Sequence, residues 1–218
     1  MMFSIVVYAF SAFVCWYSGR HFFRAWQKRR QQSHWEFGMF FYWLAAGLLA
    51  NVLVGVSAPG LLASLLQELS DFLTLISFGF VLRACIRFQN LSVSFGVVNA
   101  VILISVLARL FIGVPHLSNP VVQGGLIYTR YSFLVSVVQG ALIIVFTLLV
   151  AVTLLSNLKN LQQKKRSVLL LGLAFILGGV GGALVGMNDF VPILAGHLLL
   201  SACFILPFFL ITRVSSEP

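Results

Sequence analysis

Long apolar runs govern what this chain can fold into. Stretches of roughly 20 largely apolar residues recur along it, the length a helix needs to cross a ~30 Å hydrocarbon core. They cover about 3–19, 37–57, 71–88, 91–113, 131–155, 168–186 and 190–212. Inside lipid every backbone N–H and C=O must be satisfied within its own segment, so runs of this length are expected to be helices. Strands of a membrane barrel would alternate in polarity with period two, and these runs do not. The expected fold is all-α: a polytopic transmembrane helix bundle of about seven spans. Almost no sequence lies outside the runs, so residues 1–218 read as a single transmembrane domain.

Composition supports this. Apolar residues make up 60% of the chain and charged residues 9%, against about 25% charged in a soluble domain. Such a sequence cannot build a water-facing surface. The first segment lacks a charged leader region and an A-x-A site, so it is read as a span rather than a cleaved signal peptide. Pro59-Gly60 breaks the chain after the second run. Residues 61–69 are expected to form a short interfacial helix, and the stretch containing Pro115, Pro120, Gly124 and Gly125 a longer loop.

Charge sets the orientation. One set of loops holds 12 of the 14 basic residues: Arg20, Arg24, Lys28, Arg29, Arg30, Arg83, Arg87, Lys159, Lys164, Lys165, Arg166 and Arg213. The opposite side keeps Arg130, with Arg109 near a helix end, and the acids Glu68, Asp71 and Asp189. Basic loops face the cytoplasm. The N-terminus is therefore expected outside and the C-terminus inside, in a bacterial cytoplasmic (inner) membrane. The net charge of +9 sits in these short gaps, which suits anionic lipid rather than nucleic acid. Arg20, Arg24, Lys28, Arg29, Arg30, Lys164, Lys165 and Arg166 are the expected lipid or partner contacts. The aromatic-rich stretch from Arg20 to Glu36 either continues the first helix or lies on the membrane surface.

Several chemistries are excluded. The four lysines all lie in loops, so no intramembrane Schiff base to retinal is expected. Haem held by two histidines needs two at depth, and only His197 is well inside a span. No HExxH, G-x-S-x-G or P-loop occurs. His197, His116 and Asp189 have no metal-ligand spacing. Cys15, Cys85 and Cys203 fall in apolar runs without CxxC spacing and read as packing residues. No cofactor is expected.

What remains is a pattern of polar side chains inside the spans, which are costly in lipid and tend to face a cavity or the bundle interior. Ser132, Ser136 and Gln139 share one helix face. Ser105 and Arg109 share another, as do His197 with Ser201 and Asp71 with Thr74. With Asn51 they lie in the outer part of their spans, whereas Asn99 lies toward the inside. Turned toward one another, these stripes would line an outward-facing polar pocket. Arg109 has three open roles: snorkelling to head groups, pairing with Asp71 or Glu68, or binding an anionic ligand. Gly178, Gly182 and Gly186 recur every four residues, a face that lets another helix approach closely. Pro207 is expected to kink the last span.

The sequence reading is a non-enzymatic sensor or binding module. Its pocket would take a small or amphipathic ligand, and its basic loops would address a partner, a homo-oligomer or a separate membrane or cytoplasmic protein. A small transporter or channel-like subunit, a lipid-modifying enzyme using His197 with Asp71 or Asp189, and an accessory subunit of a larger membrane complex are the alternatives.

Overall fold

The computed structural model describes residues 2–88, 90–113, 120–123, 126–129, 132–156, 165–185, 187 and 190–214. They form α1 (Met2–Arg29), α2 (Gln32–Val56), α3 (Leu61–Phe88), α4 (Phe95–Gly113), β1 (Pro120–Gln123), β2 (Leu126–Thr129), α5 (Phe133–Ser156), α6 (Lys165–Val185) and α7 (Phe190–Val214). Five helices, α2 to α6, are long and apolar enough to cross a membrane, and α7 carries a shorter apolar stretch, Val191–Ile205. The chain is a helical integral membrane protein by this measure.

Two elements are longer than their apolar runs. α1 continues as one helix through the basic stretch to Arg29. The apolar run ends near residue 19, but Phe22 stacks on Phe37 and Phe41 of α2, with ring centroids 5.2 and 5.7 Å apart. The partner helix, not lipid, sustains this extension. In the same way residues 61–69, expected as a separate interfacial helix, are the first turns of α3. No Pro or Gly interrupts the backbone there, so nothing ends the helix before Asp71.

The turns at the basic end are closed by left-handed residues. Arg30 has φ 53°, and its amide donates to the Trp26 carbonyl at 2.7 Å. Asn90 has φ 52°; its amide donates to Arg87 at 3.2 Å, and that of Leu91 to Ile86 at 3.0 Å. That pair of bonds is a Schellman cap, which satisfies the last carbonyls of α3. At the other end, β1 and β2 pair antiparallel, with Val121 opposite Tyr128. Val121 packs on Ile193 of α7.

Packing divides the bundle. Helices α1, α2 and α3 pack in sequence, as do α5, α6 and α7; α4 contacts α3 and α5, and α1 meets α7. The buried face of α1 carries Ser4, Tyr8, Ser11, Ala12, Cys15 and Ser18, at the spacing of one helix face. Exposed Phe111, Phe133, Val152 and Val191 lie on the outside of the bundle, where a lipid-facing helix places such residues.

Candidate functional site

A cavity of about 180 Å³ lies among all the helices except α4. Its body is apolar, lined by Phe40, Phe41, Phe78, Phe175 and Phe204 among others. Its other end carries Asn51, Gln67, Ser70, Asp71, Thr74 and Gln139. These come from the end of α2 and the starts of α3 and α5, which meet at the acidic end of the bundle.

Of the residues singled out in the sequence, Asn51, Asp71, Thr74 and Gln139 line this cavity. The others lie elsewhere, each for a local reason. Ser105 donates to the Val101 carbonyl at 2.8 Å, and Ser201 to that of His197 at 2.8 Å. A hydroxyl inside a helix can back-bond to the preceding turn in this way and so satisfy itself without a ligand. Thr74 does the same with Ser70 at 2.9 Å, yet still borders the cavity. Ser132 caps α5: its Oγ accepts the Val135 amide at 3.4 Å, three residues on, as an N-cap does. The Ser136 hydroxyl is buried and finds no hydrogen-bond partner among the described residues.

Arg109 is 2% exposed. Its guanidinium meets Glu68 with both terminal nitrogens, Nη1 to Oε2 at 2.8 Å and Nη2 to Oε1 at 3.0 Å. Nη2 also lies 2.8 Å from Asp71 Oδ2, and Nε donates to Gln139 Oε1 at 3.0 Å. Two acids from α3 and an amide from α5 thus hold one cation of α4. Among the described residues, two carboxylates face this one guanidinium. Gly113, one turn beyond Arg109, makes room for this cluster; a β-carbon there would collide with the guanidinium and sit 2.8 Å from Glu68 Oε2.

His197 is fully buried beside the cavity. Nδ1 lies 2.8 Å from the Ile193 carbonyl and Nε2 3.0 Å from the Tyr8 hydroxyl. A carbonyl only accepts, so in a neutral ring Nδ1 carries the proton and Nε2 accepts from Tyr8. Both nitrogens are occupied, and the pair ties α7 to α1.

Gly178 and Gly182 also border the cavity. A β-carbon on Gly178 would be 3.2 Å from Cys203 Sγ of α7, and one on Gly182 3.1 Å from Ile143 of α5. The closest backbone approach of α6 to α7 runs instead through Gly181 and Gly196. Gly186 lies outside the described residues.

Sequence reasoning missed a second buried cluster. Glu36 of α2 is 0% exposed. Its Oε1 accepts from Arg83 Nε at 3.2 Å and Arg87 Nε at 3.0 Å. Phe95 of α4 stacks against both guanidiniums, 4.1 Å from that of Arg87. The signal was present: Arg83 and Arg87 share a face of α3, and Glu36 is the acid that interrupts the basic end. Arg83 also reaches Asn99 at 3.5 Å, which gives that inward polar residue a partner.

Arg20, Arg24, Lys28, Arg29 and Arg30 are exposed at the end of α1 and the following turn. Lys165 and Arg166 fall in the first turn of α6. Lys164, Arg130, His116 and Asp189 lie outside the described residues. Among the described residues no group of three His, Cys, Asp or Glu is placed to hold a metal.

No protein-family model, no curated protein and no solved structure matches this chain.

Proposed function

We propose that the protein is a non-enzymatic membrane binding module that takes a small amphipathic ligand into the cavity between its helices. The observation that carries this reading is the cavity's polarity: an apolar body with hydrogen-bonding groups gathered at one end. Its volume of about 180 Å³ compares with the ~150 Å³ apolar cavity known to admit benzene, so the apolar part of the ligand is about one ring in size. Asp71 places a carboxylate on the cavity's polar end, which favours a cationic or neutral head there over an anionic one. Seven spans, with the N-terminus outside, open the polar end outward, and the basic loops address lipid or a partner.

The test is thermal unfolding of the purified protein in micelles with single-ring amines and their uncharged counterparts. One amine is expected to raise Tm, the shift approaching about 2.7 kcal/mol when ligand exceeds Kd a hundredfold. The shift disappears in Asp71→Asn and in the cavity-filling Ala174→Leu. A panel without effect, or a shift that survives Ala174→Leu, sinks the reading.

A second reading, a small transporter, is supported by the grouping of α1–α3 and α5–α7 on either side of the cavity. Flux of the same amine into vesicles containing the protein separates the two.

A further inference from the structure

The basic end of the bundle holds a second cleft, of about 800 Å³. It lies among the end of α1, the start of α2, the end of α3 and the start of α4. Arg29, His34, Arg87 and Asn90 border it on the polar side, and Phe22, Phe37, Leu91 and Phe95 on the apolar side.

Here the basic residues outnumber the acid. Glu36 is shared by Arg83 and Arg87, so that trio carries a net +1. Arg29 adds another positive charge without an acidic partner among the described residues. Glu36 takes only Nε of Arg87, and the rest of that guanidinium makes no hydrogen bond among the described residues. Held at Nε by Glu36 and over the ring of Phe95, the group is pre-oriented. An arginine so held presents its remaining donors to an oxyanion at little entropic cost. The first turn of α2 opens onto the same cleft, and its N-cap residue Gln31 supplies no side-chain bond to it.

We propose that this cleft binds a phosphate-bearing anionic group, with Arg29 and Arg87 as the two cationic contacts. A lipid head group and free phosphate share that chemistry. The aromatic wall favours the lipid, whose first methylenes would lie against Phe22 and Phe37. Basic pockets between helices at a membrane surface bind anionic head groups in this way.

The test uses the full-length protein in phosphatidylcholine nanodiscs, with phosphatidic acid titrated in and binding followed by native mass spectrometry. Arg29→Gln is the chosen variant because Arg29 is exposed and takes no part in the buried Glu36 cluster; an unchanged Tm shows it folds. It is expected to weaken phosphatidic acid binding about fivefold, the factor that ~1 kcal/mol per basic residue represents. Arg24→Gln removes the same charge from the same helix end outside the cleft and is expected to weaken binding less than Arg29→Gln does. Displacement of the lipid by millimolar inorganic phosphate assigns recognition to the phosphate alone; lack of displacement assigns it to the whole lipid. Equal losses in the two variants, or no preference for phosphatidic acid over phosphatidylcholine, overturn the proposal.

Discussion

A guanidinium keeps its proton inside a bilayer, so Arg109 must either reach water or bring its own counter-charges. It does the second, and the cluster it builds is unequal. Removing different members should therefore have very different costs. Arg109→Gln leaves Glu68 and Asp71 facing each other in a low-dielectric interior. Breaking a buried pair from one side costs about 3–5 kcal/mol. Glu68→Gln leaves Arg109 paired with Asp71 and bonded to Gln139, so a loss under about 1 kcal/mol is expected on the same scale. Unfolding in mixed micelles measures both; equal losses would refute the charge accounting. The sequence places Arg109 opposite Glu68 and Asp71 at similar depth, but it cannot choose among snorkelling, pairing and binding an anionic ligand. That choice depends on whether α4 turns its Ser105–Arg109–Gly113 face inward. The serine stripes misled for a related reason. Periodicity reports which residues share a face, not whether a hydroxyl is already spent on its own helix.

At the scale of elements, the helices followed from the length of the apolar runs, while their ends followed from packing. α1 outlasts its apolar run because α2 offers Phe37 and Phe41 to Phe22. The hairpin had a signal in the sequence: Val121-Val122 and Leu126-Ile127 lie on either side of Gly124-Gly125, a two-residue turn signal. Against seven long runs its four-residue strands are easily read as loop. Glycine spacing pointed to α6 as a packing helix, but the register of closest approach lies one face away from the four-residue repeat. A β-carbon on Gly196 would stand 2.7 Å from the Gly181 carbonyl oxygen and 2.8 Å from the Val185 amide nitrogen. Gly196→Ala must push α7 off α6, an overpacking cost of about 1–3 kcal/mol. Gly140 of α5 has nothing within 4 Å of a β-carbon. There alanine removes only backbone freedom, so Gly140→Ala is expected to stabilise by about 0.5–1 kcal/mol. Opposite signs from two identical substitutions in one unfolding assay distinguish contact from propensity; a stabilising Gly196→Ala would show that α6 and α7 are not so close.

For the molecule as a whole, the two clusters are built in opposite senses at opposite ends: two acids around Arg109, and two arginines around Glu36. Orientation itself is set by the Lys and Arg residues of the connecting loops, because basic loops are retained on the cytoplasmic side. Helices α2 and α3 connect through residues 57–60 at the acidic end, whereas α3 and α4 connect through residues 89–94 at the basic end. Ala58 and Ser92 are both exposed in those turns, so a cysteine at either is open to a reagent on its own side. Ala58→Cys is expected to react with a membrane-impermeant maleimide in intact cells. Ser92→Cys is expected to react only after the membrane is opened. Cys15 and Cys85 are buried and Cys203 is half-buried, so the unsubstituted protein sets a low background. The reverse pattern would invert the bundle, turning the Asp71 cavity toward the cytoplasm and the Arg87 cleft toward the outside. Labelling of both from outside would mean that α3 does not cross at all. In that case the pairing of Arg109 with Asp71 could not mark a membrane-embedded site, and the proposed ligand cavity would lose its setting along with its orientation.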